Sequence, residues 1–226
     1  MCGRFVQHRP PLAYAEHFGL DPAAALPNCP ARYNAAPTQN LMVVRLHPHT
    51  GALDLSLLRW GLVPSWAKDP SGGARLINAR AEGVAETPSF RQSWWKKRRC
   101  IVPADGFYEW QRRDGAAQPF YIAPVDGRPL GFAGLWDGWK DPATGHWLRT
   151  FTLLTCPANE TLRPLHARMP VVLAACDIAT FLSAEDPRPL LRPAPPEQLT
   201  FWPVSTAVNA VRNDDPGLIA PLPHPV

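Results

Sequence analysis

The alternation of apolar and polar residues predicts a chain built mainly of short β-strands. Residues 53–57 alternate leucine with aspartate and serine, as expected of a strand with one buried face. Further apolar runs are bounded by turn signals such as Arg113-Asp114-Gly115. Strands are predicted over residues 41–46, 53–62, 99–103, 107–110, 120–125, 131–136 and 147–155.

Helices are predicted to be few and short. Residues 12–18 are predicted to form a helix that Gly19 ends. A second helix is expected over residues 87–97, because Thr87-Pro88 places a capping residue before a proline at the first helical position. A third is expected from Asp177 to residue 182. The pattern indicates an α+β fold, a single domain over residues 1–226 around a curved, mainly antiparallel β-sheet with flanking short helices. The last ~10 residues are predicted to form a loose tail.

Composition narrows the class of protein. Hydrophobic content of 46% and charged content of 19% are typical of a globular domain. No apolar run is long enough to span a membrane, and no signal peptide is evident, so a cytoplasmic location without membrane contact is expected. The five cysteines lie far apart with no CxxC pair, which indicates reduced thiols and neither a zinc ribbon nor a thioredoxin motif. The net charge of +4 permits a nucleic-acid partner. Neither a metal site nor a cofactor is predicted.

Cys2 has the most informative position in the chain. The initiator methionine is normally removed when a small residue follows it, and Cys2 would then carry a free α-amine beside its thiol. These groups titrate at about 8.0 and about 8.5, so both keep a nucleophilic fraction near neutral pH. A 1,2-aminothiol condenses with an aldehyde to form a thiazolidine ring. The alternative is that Met1 stays in place and Cys2 is a small buried hydrophobic residue.

Four other segments carry candidate chemistry. Trp60 and Trp66 flank a proline turn and could stack on bases. Asn78 and Arg80 share one face of an extended chain, where an amide could orient an amine and a guanidinium could bind a phosphate. Glu109 stands between two aromatic residues, which favours a raised pKa and acid–base work.

The fourth segment contains His166 and Arg168 ahead of an apolar strand. His166 is a candidate proton shuttle near pH 7, and Arg168 is a candidate phosphate contact. Each of the four segments also has a purely structural explanation, such as core tryptophans or a buried hydrogen-bonded pair.

These segments together resemble the SRAP (SOS response-associated peptidase) family. The resemblance runs through nearly the whole chain and rests on several motifs in the family's order. They are Met1-Cys2-Gly3-Arg4-Phe5, Arg32-Tyr33-Asn34-Ala35-Ala36-Pro37, Trp60-Gly61-Leu62-Val63-Pro64, Ile77-Asn78-Ala79-Arg80, residues 100–110, His166-Ala167-Arg168-Met169-Pro170 and Trp202-Pro203-Val204-Ser205.

The resemblance implies a covalent DNA-binding activity. Members of the family cross-link to abasic sites in single-stranded DNA and shield the lesion in the DNA damage response at stalled replication forks. By motif, Cys2 would form the thiazolidine, with Asn78, Glu109 and His166 as the other active-site residues. In the family the histidine helps to open the deoxyribose ring and the glutamate manages protons. Arg4, Arg80 and Arg168 match residues that hold the DNA backbone, and Trp66 matches an aromatic residue near the lesion.

The same resemblance implies further properties of the chain. They are a barrel-like sheet, peptidase-like self-processing that exposes Cys2, and no cofactor. The expected partner is single-stranded DNA containing abasic sites. A monomer is expected that associates with the nucleoid when bound, with replication-fork proteins as further partners.

Two other functions fit the same residues. In the first, the protein is a cysteine hydrolase in which Cys2 is the nucleophile and His166 the base. In the second, it is a non-covalent single-stranded DNA-binding module whose tryptophans and arginines form a stacking groove.

Overall fold

The computed structural model describes residues 2–113 and 115–223. Asp114, in the predicted turn, therefore lies outside the described residues, as do Met1 and the last three residues of the chain. The α-helices are α1 (Pro11–His17), α2 (Arg91–Trp95) and α3 (Ile178–Ser183). The strands are β1 (Phe5–Gln7), β2 (Arg32–Ala35), β3 (Asn40–Leu46), β4 (Leu53–Trp60), β5 (Asn78–Arg80), β6 (Arg99–Ala104), β7 (Gly106–Arg113), β8 (Ala116–Pro124), β9 (Leu130–Lys140), β10 (Trp147–Pro157), β11 (Arg168–Pro170), β12 (Val172–Leu173) and β13 (Leu199–Pro203).

Five strands close into a barrel in the order β10-β4-β3-β6-β9, with β9 pairing back to β10. The pairing of β4 with β10 is parallel, and the other four pairings in the ring are antiparallel. Closure removes the open sheet edges that unpaired strands would present. The barrel confirms the predicted α+β class with a barrel-like, mainly antiparallel sheet.

A second sheet of order β13-β8-β7-β1-β2 packs against the barrel. Phe5 on β1 joins the two, because its ring lies 4.9 Å from that of Trp60 and 6.2 Å from that of Phe132. The buried Gln7 amide adds polar links, donating to the carbonyls of Met42 at 2.9 Å and Pro103 at 2.7 Å. The start of the chain is thus fixed between both sheets.

Two short strands extend the barrel beyond its rim. β5 runs parallel to β10 with Leu153 opposite Asn78 and Thr155 opposite Arg80. β11 runs antiparallel to β10 with Pro157 opposite Arg168. The end of β10 therefore gathers two segments that lie about ninety positions apart in the sequence.

One predicted boundary was wrong. Helix α2 begins at Arg91 rather than at Pro88, because the Thr87 hydroxyl donates to the Gly83 carbonyl at 2.7 Å instead of capping a helix. The predicted loose tail stays a prediction, and contacts are seen at its first residues. Leu218 is buried, and the Ile219 carbonyl accepts from Trp202 Nε1 at 2.9 Å, so the chain stays anchored there. No helix among the described residues is long and apolar enough to cross a membrane.

Candidate active site

The N-terminal strand is held in place by the buried carboxylate of Asp105. This group accepts from the backbone N–H groups of His8 at 2.7 Å and Arg9 at 3.3 Å, from Arg9 Nε at 2.8 Å and from the Tyr14 hydroxyl at 2.5 Å. One residue later, Gly106 approaches the Tyr121 side chain so closely that a Cβ would lie 2.4 Å from it. These contacts fix where β1 and the residues before it lie against β7.

Cys2 lies at the centre of the candidate site and is fully buried. Its carbonyl accepts a hydrogen bond from Asn78 Nδ2 at 2.8 Å, and its Sγ lies 3.6 Å from the Arg4 carbonyl oxygen. Burial raises the pKa of the Cys2 thiol far above its ordinary value, and the charge of Glu109 raises it further. Burial therefore favours the thiol over the thiolate at this position.

Asn78 brings β5 to the N-terminal segment. Its amide nitrogen is occupied by Cys2, whereas its Oδ1 is buried and has no hydrogen-bond partner among the residues that the structure describes. A buried amide oxygen can accept a hydrogen bond from an amine or a hydroxyl group. The Asn78 side chain therefore holds the Cys2 carbonyl through its amide nitrogen and offers its amide oxygen for chemistry at Cys2.

Glu109 and His166 line one cleft with a volume of about 620 Å³, together with neighbours from β7 and residues 163–167. Only 5% of Glu109 is exposed, and burial raises the pKa of its carboxyl, with the charge of His166 acting in the opposite direction. A buried carboxyl with a raised pKa exchanges protons closer to neutral pH than an exposed one.

The imidazole of His166 is oriented by the strand that follows it. The backbone N–H of Arg168 donates to His166 Nδ1 at 3.0 Å. The Arg168 carbonyl oxygen also lies 3.2 Å from Nδ1. In the neutral tautomer that accepts the Arg168 N–H at Nδ1, the ring carries its proton on Nε2. That tautomer presents an N–H donor on the far side of the ring.

Arg168 forms a bidentate ion pair with Glu82. Its Nη1 and Nη2 donate to the two carboxylate oxygens at 2.8 Å and 2.9 Å, and Nη2 also donates to the Thr155 carbonyl at 2.5 Å. The hydrogen bond from Arg168 lowers the pKa of Glu82, and the charge of Arg80, which is exposed two residues before it, acts in the same direction. The arginine that forms the ion pair with Glu82 is Arg168.

Arg4 and Trp66 occupy other surroundings. Arg4 is half-buried, and its Nη1 donates to Asn34 Oδ1 and to the Val208 carbonyl, each at 2.9 Å. Trp66 is 60% exposed on the loop after β4. Hydrogen bonds on either side of Trp66 hold this loop, from the Ser65 N–H to Asp137 and from Trp139 Nε1 to the Ala67 carbonyl. The DNA contacts of both residues stay predictions.

Several residues that position the site carried no predicted role. Asn34 donates from Nδ2 to three carbonyls of residues 208–213, so it ties the C-terminal segment to Arg4. Asp214 accepts from the N–H groups of Tyr33 and Asn34. No local pattern marks such partners, since they lie about 180 residues apart. Among the described residues, no group of three or more His, Cys, Asp or Glu side chains is arranged to hold a metal ion.

Residues 1–211 match the model of the SOS response associated peptidase (SRAP) family. The chain is 37% identical over 225 residues to the abasic site processing protein YoqW of Bacillus subtilis, an alignment that covers 97% of this chain and 99% of that protein. It is 39% identical over 193 residues to the abasic site processing protein HMCES of Gallus gallus, covering 73% of this chain and 56% of that protein.

The fold has a solved counterpart. A protein from Bacteroides thetaiotaomicron matches with a TM-score of 0.86 and 22% identity, over 98% of this chain and all of that one. This likeness concerns the fold alone, whereas the family match and the curated relatives concern the sequence as well. The chain therefore belongs to the SOS response associated peptidase (SRAP) family.

Proposed function

We propose that this protein processes abasic sites by binding single-stranded DNA and joining Cys2 covalently to the ring-opened sugar. The observation that carries the proposal is the 2.8 Å hydrogen bond from Asn78 to the Cys2 carbonyl, beside the buried Glu109. It joins two residues that lie 76 positions apart, each of which has a use in aldehyde chemistry. The names of the curated relatives support the choice of an abasic site as the substrate.

The reaction begins with the loss of Met1, because the Cys2 nitrogen otherwise belongs to a peptide bond. The freed amine adds to the sugar aldehyde and loses one water to give an imine. The thiol sulfur then bonds to the imine carbon while a proton moves to the nitrogen, which closes the thiazolidine ring. One water is released overall. The Cys2 side chain is fully buried in the chain that retains Met1, so the reaction also needs an opening at this position.

The neighbouring groups serve as proton carriers. Glu109, with a pKa raised by burial, takes the thiol proton as the sulfur attacks. His166 donates from Nε2 to the sugar ring oxygen and so promotes opening of the cyclic form to the aldehyde. Asn78 holds the Cys2 carbonyl and accepts from the amine through Oδ1, which keeps the nucleophile oriented.

DNA is held by charge and stacking around this centre. Arg80 and Arg168 bind backbone phosphates, with Arg4 contributing on the side of the N-terminal strand. Trp66 stacks on a base next to the lesion. We further propose that the protein acts as a monomer in the cytoplasm on nucleoid DNA, where proteins of a stalled replication fork are its neighbours.

The test uses untagged protein and a single-stranded oligonucleotide that contains one abasic site. We expect a heat-stable shifted band on a denaturing gel, absent with Cys2→Ala and absent with a tetrahydrofuran analogue that has no aldehyde. Cys2→Ser should form only an imine, which becomes stable after borohydride reduction. A stable adduct with Cys2→Ala, or with an N-terminal tag still attached, would contradict the mechanism.

The family name points to a peptidase-like step, and we propose that the protein removes its own Met1 with the help of Glu109. In Glu109→Gln, mass spectrometry of the purified protein should then show retained Met1. Complete removal of Met1 in that variant would assign the step to a separate aminopeptidase. Hydrolysis of added peptides that is lost in Cys2→Ala would favour a cysteine hydrolase instead.

A further inference from the structure

The ion pair between Glu82 and Arg168 occupies the guanidinium edge that a DNA phosphate would use. Both carboxylate oxygens accept from Arg168, at 2.8 Å and 2.9 Å. The Arg168 side chain is 17% exposed and that of Glu82 is 53% exposed, so the carboxylate forms the outer half of the pair. A strand that approaches Arg168 from solvent therefore meets Glu82 first.

The inner part of the same guanidinium is committed to the protein. Arg168 Nε lies 3.3 Å from Thr155 Oγ1, and Nη2 donates to the Thr155 carbonyl at 2.5 Å. These bonds attach the arginine to the end of β10 and leave the edge held by Glu82 as the one that faces outward. Binding of a phosphate in a forked geometry at this edge requires the carboxylate to leave.

Arg80 lies at the same end of β10. It is on β5 with Thr155 as its register partner on β10, and its side chain is exposed. The Glu82 carboxylate therefore pairs with Arg168 next to a strand that carries a second arginine. Carboxylate and phosphate groups present similar pairs of oxygens to an arginine fork.

We propose that Glu82 acts as a built-in phosphate surrogate, which competes with the backbone of single-stranded DNA for Arg168. This inference rests on the proposed function, since it names what Arg168 binds. About half of the Glu82 side chain is exposed, so water can solvate the carboxylate when a DNA phosphate takes its place on the arginine. Glu82 then weakens binding to any strand and leaves lasting attachment to the covalent step at Cys2.

The test measures equilibrium binding of an intact single-stranded oligonucleotide without a lesion, by fluorescence anisotropy at one fixed salt concentration. Cys2→Ala is the background throughout, so that no cross-link forms. Glu82→Gln keeps the shape of the side chain and removes its charge, and we expect Kd to fall about two- to fivefold. The matched control is Glu86→Gln, which removes the same charge from another exposed glutamate four residues along the chain.

The sign of the effect separates competition from a structural role. If Glu82 merely held Arg168 in position, Glu82→Gln would weaken binding, which would overturn the proposal. An equal gain from Glu86→Gln would also overturn it, because bulk charge would explain the result. In an Arg168→Ala background, Glu82→Gln should lose most of its effect, and an undiminished gain there would contradict a competition for Arg168.

These outcomes are distinct from failure of the proposed function. A protein that forms no adduct with an abasic site but binds the intact strand more tightly after Glu82→Gln would disprove the cross-link and retain the competition. A protein that cross-links normally but binds the intact strand no more tightly after Glu82→Gln would retain the cross-link and disprove the competition.

Discussion

Removal of the Asp105 carboxylate should loosen β1 and the N-terminal residues before it, which include Cys2. In Asp105→Ala, the buried Tyr14 hydroxyl loses a charge-assisted partner at 2.5 Å, and the His8 N–H loses its acceptor at 2.7 Å. A hydrogen bond to a charged group contributes about 1.5–3 kcal/mol, and a buried donor left without a partner costs about 1–3 kcal/mol. Arg9 is 37% exposed and can regain water, so it adds little.

Two such bonds together give a loss of about 3–6 kcal/mol in the free energy of unfolding. For a chain of this length, that corresponds to a fall in Tm of roughly 6–24 °C. The assay is urea denaturation followed by circular dichroism, with thermal melting as a second measurement. Tyr14→Phe is the matched control, because it removes one of the contacts and leaves the carboxylate with the others. It should cost about 1–2 kcal/mol.

The rate of adduct formation should fall together with the stability in Asp105→Ala. If β1 shifts, the Cys2 carbonyl loses its fixed distance to Asn78, and adduct formation should slow in Asp105→Ala even at a temperature where the protein is folded. A loss of less than about 1 kcal/mol would refute the reasoning, since it would mean that water replaces the carboxylate at these donors.

Three further predictions follow from burial, exposure and close approach. Because burial raises the pKa of Glu109, its folded form holds a proton that the unfolded chain releases first. The stability of the wild type should thus fall relative to Glu109→Gln as pH rises from the ordinary glutamate range through the raised pKa, and urea titrations that run parallel at every pH would contradict this. Trp66→Ala should weaken single-strand binding by about 1–3 kcal/mol with an unchanged melting curve. Trp147→Ala, which is also 60% exposed, serves as its control and should change neither quantity. Gly106→Ala should destabilise by about 3 kcal/mol, because its Cβ would lie 2.4 Å from an aromatic side chain and 2.5 Å from a backbone oxygen. Gly72→Ala, with open space at its Cβ, should be close to neutral in the same denaturation experiment.

The parts of the fold that could be predicted from the sequence are those with a local pattern of apolar and polar residues. The long barrel strands β3, β4, β9 and β10 carry enough residues for an alternating or continuous apolar pattern, and all four were predicted. Helix α1 was also predicted, because the sequence places a glycine at its end. Gly19 has a φ of 69° and ends the helix as expected.

The strands nearest the candidate site were harder to predict. β1, β5 and β11 have three residues each, too few to show a period, and long-range pairing creates them. Asn78 and Arg80 were expected on one extended face, but nothing in the sequence shows that β5 would pair with β10. The boundary of α2 failed because Thr87 bonds backward to Gly83.

The candidate site residues could be identified from several sequence motifs. The contacts between them depend on tertiary structure and could not. The sequence predicted that Cys2 and Asn78 belong to one active site, and the structure shows a hydrogen bond between them. The pairing of Arg168 with Glu82 spans 86 positions and could not be read from spacing. The contact of Arg4 with Asn34 is of the same kind.

The most direct test of the central claim is to locate the modification in the adduct by mass spectrometry. Untagged protein is reacted with the abasic-site oligonucleotide, digested with nuclease and trypsin, and sequenced by fragmentation. We expect a sugar remnant on the peptide that begins at Cys2 and ends at Arg4, with Met1 absent and both the amine and the thiol blocked without any reductant. A remnant on a lysine, or on a peptide that still carries Met1, would contradict this claim.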